Sequence, residues 1–247
     1  MQLIQWLRSL VFTVQMYAMM VLMGIFFFPW ELIHRQGAYT GVRTYCRWVR
    51  WTASWMVGLK SEVRGPIPQE EVLIAGKHQS FFDVILIVSV VPRPKFIMKS
   101  SLRWAPVLGQ YGMRIGCVPV NRGKRTEAIK KMLVNVQSGT APAGQLIIYP
   151  QGTRVAPGEH KPFKIGTYVL YSETKQACVP AATNVGLFWP KYGIMRQKGL
   201  AVVEFLDPIL QGLPQDQFME QLETTIETHS NRLMKDAGFD GVSKYDR

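Results

Sequence analysis

Paired cysteines are missing from this chain. The three present, Cys46, Cys117 and Cys178, lie far apart with no C-x-x-C pair, so neither a disulfide framework nor a thiolate zinc cluster is suggested, and a reducing compartment is the simpler setting. The nucleophile elbow G-x-S-x-G and the phosphate loop G-x-x-x-x-G-K-[ST] are also absent, which leaves serine-hydrolase and P-loop chemistry without a signature. Four histidines, His34, His78, His160 and His229, show no ligand-like clustering, and no metal is expected. Acid is scarce: seventeen Asp and Glu against twenty-nine Lys and Arg leave a formal charge of +12. That balance suits an anionic partner, whether nucleic acid, a membrane surface or an acidic substrate. With 47% hydrophobic and 19% charged residues in 247, the chain can fill a sizeable core and is not a disordered tail.

What is abundant is apolar sequence at the amino terminus. No charge falls between Arg8 and Glu31. At ~1.5 Å per residue, about 22 residues make roughly 33 Å of helix, enough to cross a ~30 Å hydrocarbon layer. Spanning, dipping into one leaflet and a cleaved signal peptide all compete, the last weakest because no small-x-small cleavage site follows. From Tyr39 to Lys60, Arg43, Arg47 and Arg50 recur at helical spacing among Trp48, Trp51 and Trp55. Such a helix suits the headgroup level of a bilayer, or is a core-packing helix with a solvated basic face. Aromatic interleaving beside a near-spanning run favours a membrane lipid partner over nucleic acid, and if the run spans, the arginines just after it predict a body on the cytoplasmic side.

Gly65-Pro66-Ile67-Pro68 breaks the helical region. We therefore expect residues 1–64 to be membrane-associating helices and 65–247 an α/β domain. Strands are predicted at Val72 to Ala75, Lys95 to Met98, Arg114 to Val120, Gln145 to Tyr149, Ala177 to Ala181 and Leu200 to Phe205. Helices are predicted around Phe82 to Val90, Arg125 to Gln137, Ile165 to Glu173 and Asp216 to Asp236. The alternation predicts an α/β fold, with a mixed, largely parallel sheet flanked by helices.

The chemistry-bearing stretch is Lys77-His78-Gln79-Ser80-Phe81-Phe82-Asp83, which reads as a turn between strand and helix. Residues five apart on a helix point about 140° from each other at ~100° per residue, so His78 and Asp83 meet only if His78 sits in the turn. There, one ring nitrogen accepts a proton while Asp83 holds the other. Two further strands deliver arginines to their carboxyl edges, Arg122 after Val118-Pro119-Val120 and Arg154 after Tyr149-Pro150-Gln151-Gly152-Thr153, and two guanidiniums can clamp one phosphate.

Together these segments resemble the 1-acyl-sn-glycerol-3-phosphate acyltransferase family of glycerolipid acyltransferases, whose members share four ordered blocks. His78 to Asp83 is similar to the H-x4-D block, Gly116 to Arg122 to the second, Tyr149 to Arg154 to the third and Val179-Pro180-Ala181 to the fourth. The resemblance covers roughly residues 65 to 206 and departs at Gln151, where the family usually has glutamate. It implies acyl transfer from acyl-CoA or acyl carrier protein to the sn-2 hydroxyl of lysophosphatidic acid, giving phosphatidic acid, at a bacterial inner membrane. His78 would be the base and Asp83 its orienter. Lys99, Arg122 and Arg154 would bind phosphate, and Gln151, Gly152 and Thr153 would position substrate, with backbone N–H groups near Gly152 facing the oxyanion. No permanently bound cofactor is implied. Two alternatives stay open: a sibling enzyme using another lysolipid, such as a lyso-ornithine lipid, and a non-catalytic protein binding anionic lipid through Arg43, Arg47 and Arg50.

Overall fold

A computed structural model describes residues 2–120 and 144–241. The chain opens with a helical hairpin, α1 (Gln2–Ile33) and α2 (Arg35–Met56). Then come β1 (Leu59–Arg64), β2 (Leu73–Gly76), α3 (Phe82–Val90), β3 (Pro94–Lys99), a short 3₁₀ turn (Ser100–Trp104), α4 (Leu108–Arg114) and β4 (Val118–Val120). After the undescribed stretch follow β5 (Gln145–Ile148), α5 (Gly166–Thr174), β6 (Cys178–Thr183), β7 (Gly199–Phe205) and α6 (Gln215–Asp236). The predicted helix at Arg125 to Gln137 lies outside the described residues.

The strands form one seven-stranded sheet in the order β1-β7-β6-β2-β5-β3-β4. Every neighbouring pair is parallel except β6 with β7. The mixed, largely parallel sheet expected from the alternation is what forms. Side chains alternate across it with the strand period of two. Ile74, Ile147 and Val179 join the core beneath α2 and α3, while Leu73, Leu146 and Cys178 join the core beneath α5 and α6.

Two elements differ from expectation. Arg114 to Val120 is not one strand: Arg114 ends α4, and only Val118–Val120 pairs with β3. Glycine supplies the reason, since a Cβ at Gly109 would lie 2.3 Å from the Arg103 carbonyl oxygen; the α4 turn packs against backbone that no larger residue would allow. The other is β1, which precedes the Gly65-Pro66 break yet pairs with β7 from Leu59↔Gly199 to Arg64↔Glu204. The sheet therefore begins at Leu59.

The amino-terminal helices are part of the same packed body. Phe12 and Met16 from α1, and Val49 and Ala53 from α2, share a core with Phe82, Leu86 and Ile147. Three of the four arginines of α2, Arg43, Arg47 and Arg50, are turned toward the end of α3. Arg43 Nη2 donates to the Pro92 carbonyl at 2.7 Å, Arg47 Nε to the Ser89 carbonyl at 3.2 Å, and Arg50 Nη1 to Ser89 Oγ at 2.8 Å. The Arg47 bond satisfies a carbonyl the helix leaves free at its carboxyl end, and all three cations stand where its dipole favours them. Burial lowers the pKa of Arg43 and Arg50 from the ordinary guanidinium value, with Arg47 adding repulsion. Trp51 and Trp55 stay outside, each 56% exposed.

Candidate active site

The site is built where β2 stops. Lys77 N–H still donates to the Ala181 carbonyl of β6, at 2.9 Å, and the chain then turns for four residues before α3 begins at Phe82. Asp83 lies in the first turn of α3, where a negative charge meets the helix's positive end. Its carboxylate reaches backward: Oδ2 accepts from Gln79 N–H at 2.9 Å and Ser80 N–H at 2.8 Å. Those bonds curl the turn around the carboxylate and carry His78 to it. His78 Nδ1 lies 3.0 Å from Asp83 Oδ1 and 3.2 Å from Oδ2. Asp83 is fully buried, whereas the His78 side chain keeps 18% of its surface exposed. With Nδ1–H donated to the carboxylate, the lone pair stands on Nε2, which has no hydrogen-bond partner among the described residues.

Tyr149, at the end of β5, stacks on the imidazole with ring centroids 4.0 Å apart and planes 18° from parallel. Its phenol oxygen is buried and makes no well-formed hydrogen bond. Burial, with the neighbouring Asp83 charge behind it, pushes its pKa well above the ordinary tyrosine value, so the ring stays neutral. Tyr149 therefore backs the imidazole as a flat wall. The sequence marked it as the first position of a block without indicating this contact, because the two residues follow different strands, β2 and β5.

The remaining site residues fall into distinct places. Arg154 lies in the loop after β5, and its Nη1 donates to the Lys191 carbonyl at 3.0 Å. The same loop joins the histidine turn through Val155 N–H donating to the His78 carbonyl at 2.8 Å. Lys99 ends β3, exposed, at the same sheet edge but two strands away from β2, about 10 Å at the usual strand spacing. Arg122 lies outside the described residues. Thr153 is half-buried.

Two groups expected to meet substrate are engaged within the protein. Gly152 N–H donates to the Tyr149 carbonyl at 2.9 Å, closing its own turn, so that donor is not available to an oxyanion. Gln151 turns inward: it is 1% exposed, and its Nε2 donates to the Lys161 carbonyl at 3.2 Å and to Glu227 Oε1 at 3.3 Å. A carboxylate already buried behind the turn draws the amide inward. Sequence reasoning missed that carboxylate, and Lys77, which pairs with it at 2.5 Å. The two stand 150 residues apart, and no local pattern links them. Among the described residues no group of three His, Cys, Asp or Glu could hold a metal ion.

A buried acid beside a partly exposed histidine, at the carboxyl edge of a mixed α/β sheet, is an arrangement able to move a proton. The acyltransferase family model matches residues 60–184, which span both the histidine turn and the Tyr149 to Arg154 loop. The chain belongs to that family. Among curated relatives, the 1-acyl-sn-glycerol-3-phosphate acyltransferase of Pseudomonas aeruginosa is 26% identical over 160 residues, covering 64% of this chain and 62% of that protein. The protein of the same name from Saccharomyces cerevisiae is 29% identical over 192 residues, covering 74% of this chain and 63% of its own length. The chain thus spans a little over three fifths of the length of these two relatives. The crystal structure of the 1-acyl-sn-glycerophosphate acyltransferase PlsC from Thermotoga maritima superposes with a TM-score of 0.79, covering 94% of this chain and 98% of that one at 17% identity. The fold is shared.

Proposed function

We propose that the protein transfers an acyl group from an acyl thioester, carried by coenzyme A or acyl carrier protein, to the sn-2 hydroxyl of lysophosphatidic acid. The names of its relatives support this acceptor. The observation that carries the chemistry is the 3.0 Å approach of His78 Nδ1 to buried Asp83, with Nε2 left as the acceptor nitrogen. Nε2 takes the hydroxyl proton as the oxygen attacks the thioester carbon. Asp83 holds the tautomer and offsets the charge of the imidazolium, and Nε2 then returns its proton to the departing thiolate. Oxygen–carbon bond formation and carbon–sulfur cleavage balance, with no acyl-enzyme and no permanently bound cofactor. Arg154 and Lys99, with Arg122, supply cations for the acceptor's phosphate, which carries about −1.5 to −2 at neutral pH. Gln151, buried against Glu227, gives no reason to prefer a phosphate-free acceptor.

The setting we propose is the surface of one membrane leaflet, the cytoplasmic face of a bacterial inner membrane. α1 is long and apolar enough to span, yet both its ends are fastened to the body. Gln5 Nε2 donates to the Val57 and Arg196 carbonyls, and Arg8 Nε to the Met56 carbonyl. At the other end Tyr111 Oη donates to the Gly24 carbonyl and Arg114 Nε to the Glu31 carbonyl. From residue 5 to residue 31 is about 39 Å at ~1.5 Å per residue. A crossing helix would carry part of the body through the bilayer, whereas a helix lying flat presents Leu7, Val14, Leu22, Ile25 and Phe26, all exposed, to the acyl chains.

The test is an acceptor panel: purified protein, labelled acyl thioester, and lysophosphatidic acid beside a monoacylglycerol of the same chain. Phosphatidic acid as the dominant product supports the reading. Equal turnover of the phosphate-free acceptor rejects the phosphate assignment.

A further inference from the structure

His78 is flanked by two side chains that turn the other way. Lys77 and Gln79 are 3% and 1% exposed. Lys77 Nζ donates to both oxygens of Glu227, at 2.5 and 2.7 Å, and Gln79 Oε1 accepts from Gly186 N–H at 2.9 Å while its Nε2 meets Met234 Sδ at 3.4 Å. Glu227 and Met234 both belong to α6. Gln151, from the loop that carries Arg154, adds its amide to Glu227 Oε1.

A buried Lys–Glu pair is weak evidence of added stability, because desolvating two ions costs several kcal/mol each and an apolar replacement often does as well. Its location is more informative. One ammonium, one carboxylate and one amide join the histidine turn, the Arg154 loop and α6, none adjacent to the others in sequence. The charge count explains the amide: a carboxylate at 151 would set two anions against one cation within 3.3 Å. The carboxylate beside the Lys77 ammonium comes from α6.

We propose that Glu227 is a positioning residue for His78, holding the backbone of the histidine turn through Lys77 so that Nε2 meets the acceptor hydroxyl. This rests on His78 being the base. Displacing a catalytic group by about 1 Å can cost ~10²-fold in rate, so loosening the Lys77 anchor should lower kcat while leaving KM for the thioester little changed.

The experiment compares the wild type with Glu227→Gln, Gln151→Glu and the double exchange Gln151→Glu/Glu227→Gln in the full chain. For each, kcat and KM are measured at a temperature where circular dichroism shows it folded, and the His78 ring is followed by ¹⁵N-histidine NMR. We expect each single variant to lose about tenfold to a hundredfold in kcat and to shift the His78 ring signals. The double variant, which exchanges carboxylate and amide across their 3.3 Å contact, should regain at least about a third of wild-type kcat and the wild-type ring signals. A folded Glu227→Gln variant with wild-type kcat and unchanged ring signals overturns the proposal. So does a double variant that recovers thermal stability without kcat or ring signals, or that does not fold. If Glu227→Gln itself does not fold, the double variant decides by the same criteria. A wild type that turns over no lysophosphatidic acid rejects the proposed function, and the NMR comparison then decides the positioning role by itself.

Discussion

Replacing Asp83 by asparagine tests the orienting carboxylate with almost no change in volume. Three donors converge on this group: Gln79 N–H at 2.9 Å and Ser80 N–H at 2.8 Å on Oδ2, and His78 Nδ1 at 3.0 Å from Oδ1. An asparagine carbonyl can take the place of Oδ2 and keep both backbone bonds, but its NH₂ then points at Nδ1. Nδ1 must become the acceptor, the ring proton moves to Nε2, and the nitrogen facing the substrate loses its lone pair. General-base loss is worth about 10²- to 10⁴-fold, or roughly 3 to 5 kcal/mol of transition-state stabilisation at ~1.4 kcal/mol per decade. Stability should fall less, by about 1 to 3 kcal/mol, as charge-assisted bonds become neutral ones. The assay is initial-rate transfer of labelled acyl groups from a thioester to lysophosphatidic acid in mixed micelles, with thermal unfolding measured on the same samples. A folded Asp83→Asn variant within about threefold of wild-type kcat would falsify the tautomer argument.

Further outcomes can be measured independently. Arg154→Ala should raise the KM for lysophosphatidic acid by about 10- to 150-fold, the equivalent of ~1.5 to 3 kcal/mol for a charged hydrogen bond, and leave the KM for a phosphate-free acceptor unchanged; equal KM values for wild type and variant would refute the clamp. Burial raises the Cys117 thiol to about 11 and the Cys46 thiol to about 12. Since a thiol reacts as its thiolate, both should resist alkylation at pH 8 until the protein is unfolded, whereas rapid native-state labelling would contradict their burial. Gly65→Ala should lower the melting temperature, because φ is +78° there and a Cβ would lie 2.0 Å from the Phe205 carbonyl oxygen; an unchanged Tm would refute the strain. Ile25→Glu combined with Phe26→Glu, both on exposed positions of α1, should release the protein from sedimenting vesicles while circular dichroism stays native, and undiminished sedimentation would argue against a flat α1.

The central strands β2, β5 and β6 were legible because each is a short, mostly apolar run with nearly every residue buried. β2 is Leu73-Ile74-Ala75-Gly76, with all four residues buried, and such runs leave little alternative. β1 was not. Leu-Lys-Ser-Glu-Val-Arg carries three charges in six residues, as an edge strand facing water on one side does, and the single Gly58 that ends α2 before it is a slighter signal than the Gly65-Pro66 break. The α4 turn was hidden by its glycines, which argue against a helix in isolation and become favourable only against the Arg103 backbone. Within the site, the His78 turn could be inferred from helix geometry, since the spacing to Asp83 required it. The stacking of Tyr149 and the Lys77–Glu227 pair could not, because they depend on strand order and on where α6 lands. The arginines of α2 were legible as a periodic row. Whether they reach for lipid phosphate or for the carbonyls ending α3 depends on a packing partner the row does not name.

The account stands or falls on the imidazole as the group that takes the acceptor's proton, and His78→Gln tests this most directly. Glutamine nearly matches the ring in size and can still reach Asp83, but it has no nitrogen lone pair to accept a proton. With labelled acyl thioester and lysophosphatidic acid, the wild type should form phosphatidic acid and the folded, vesicle-bound variant should do so at least about 10²-fold more slowly. Turnover by His78→Gln at a rate close to wild type would contradict the account.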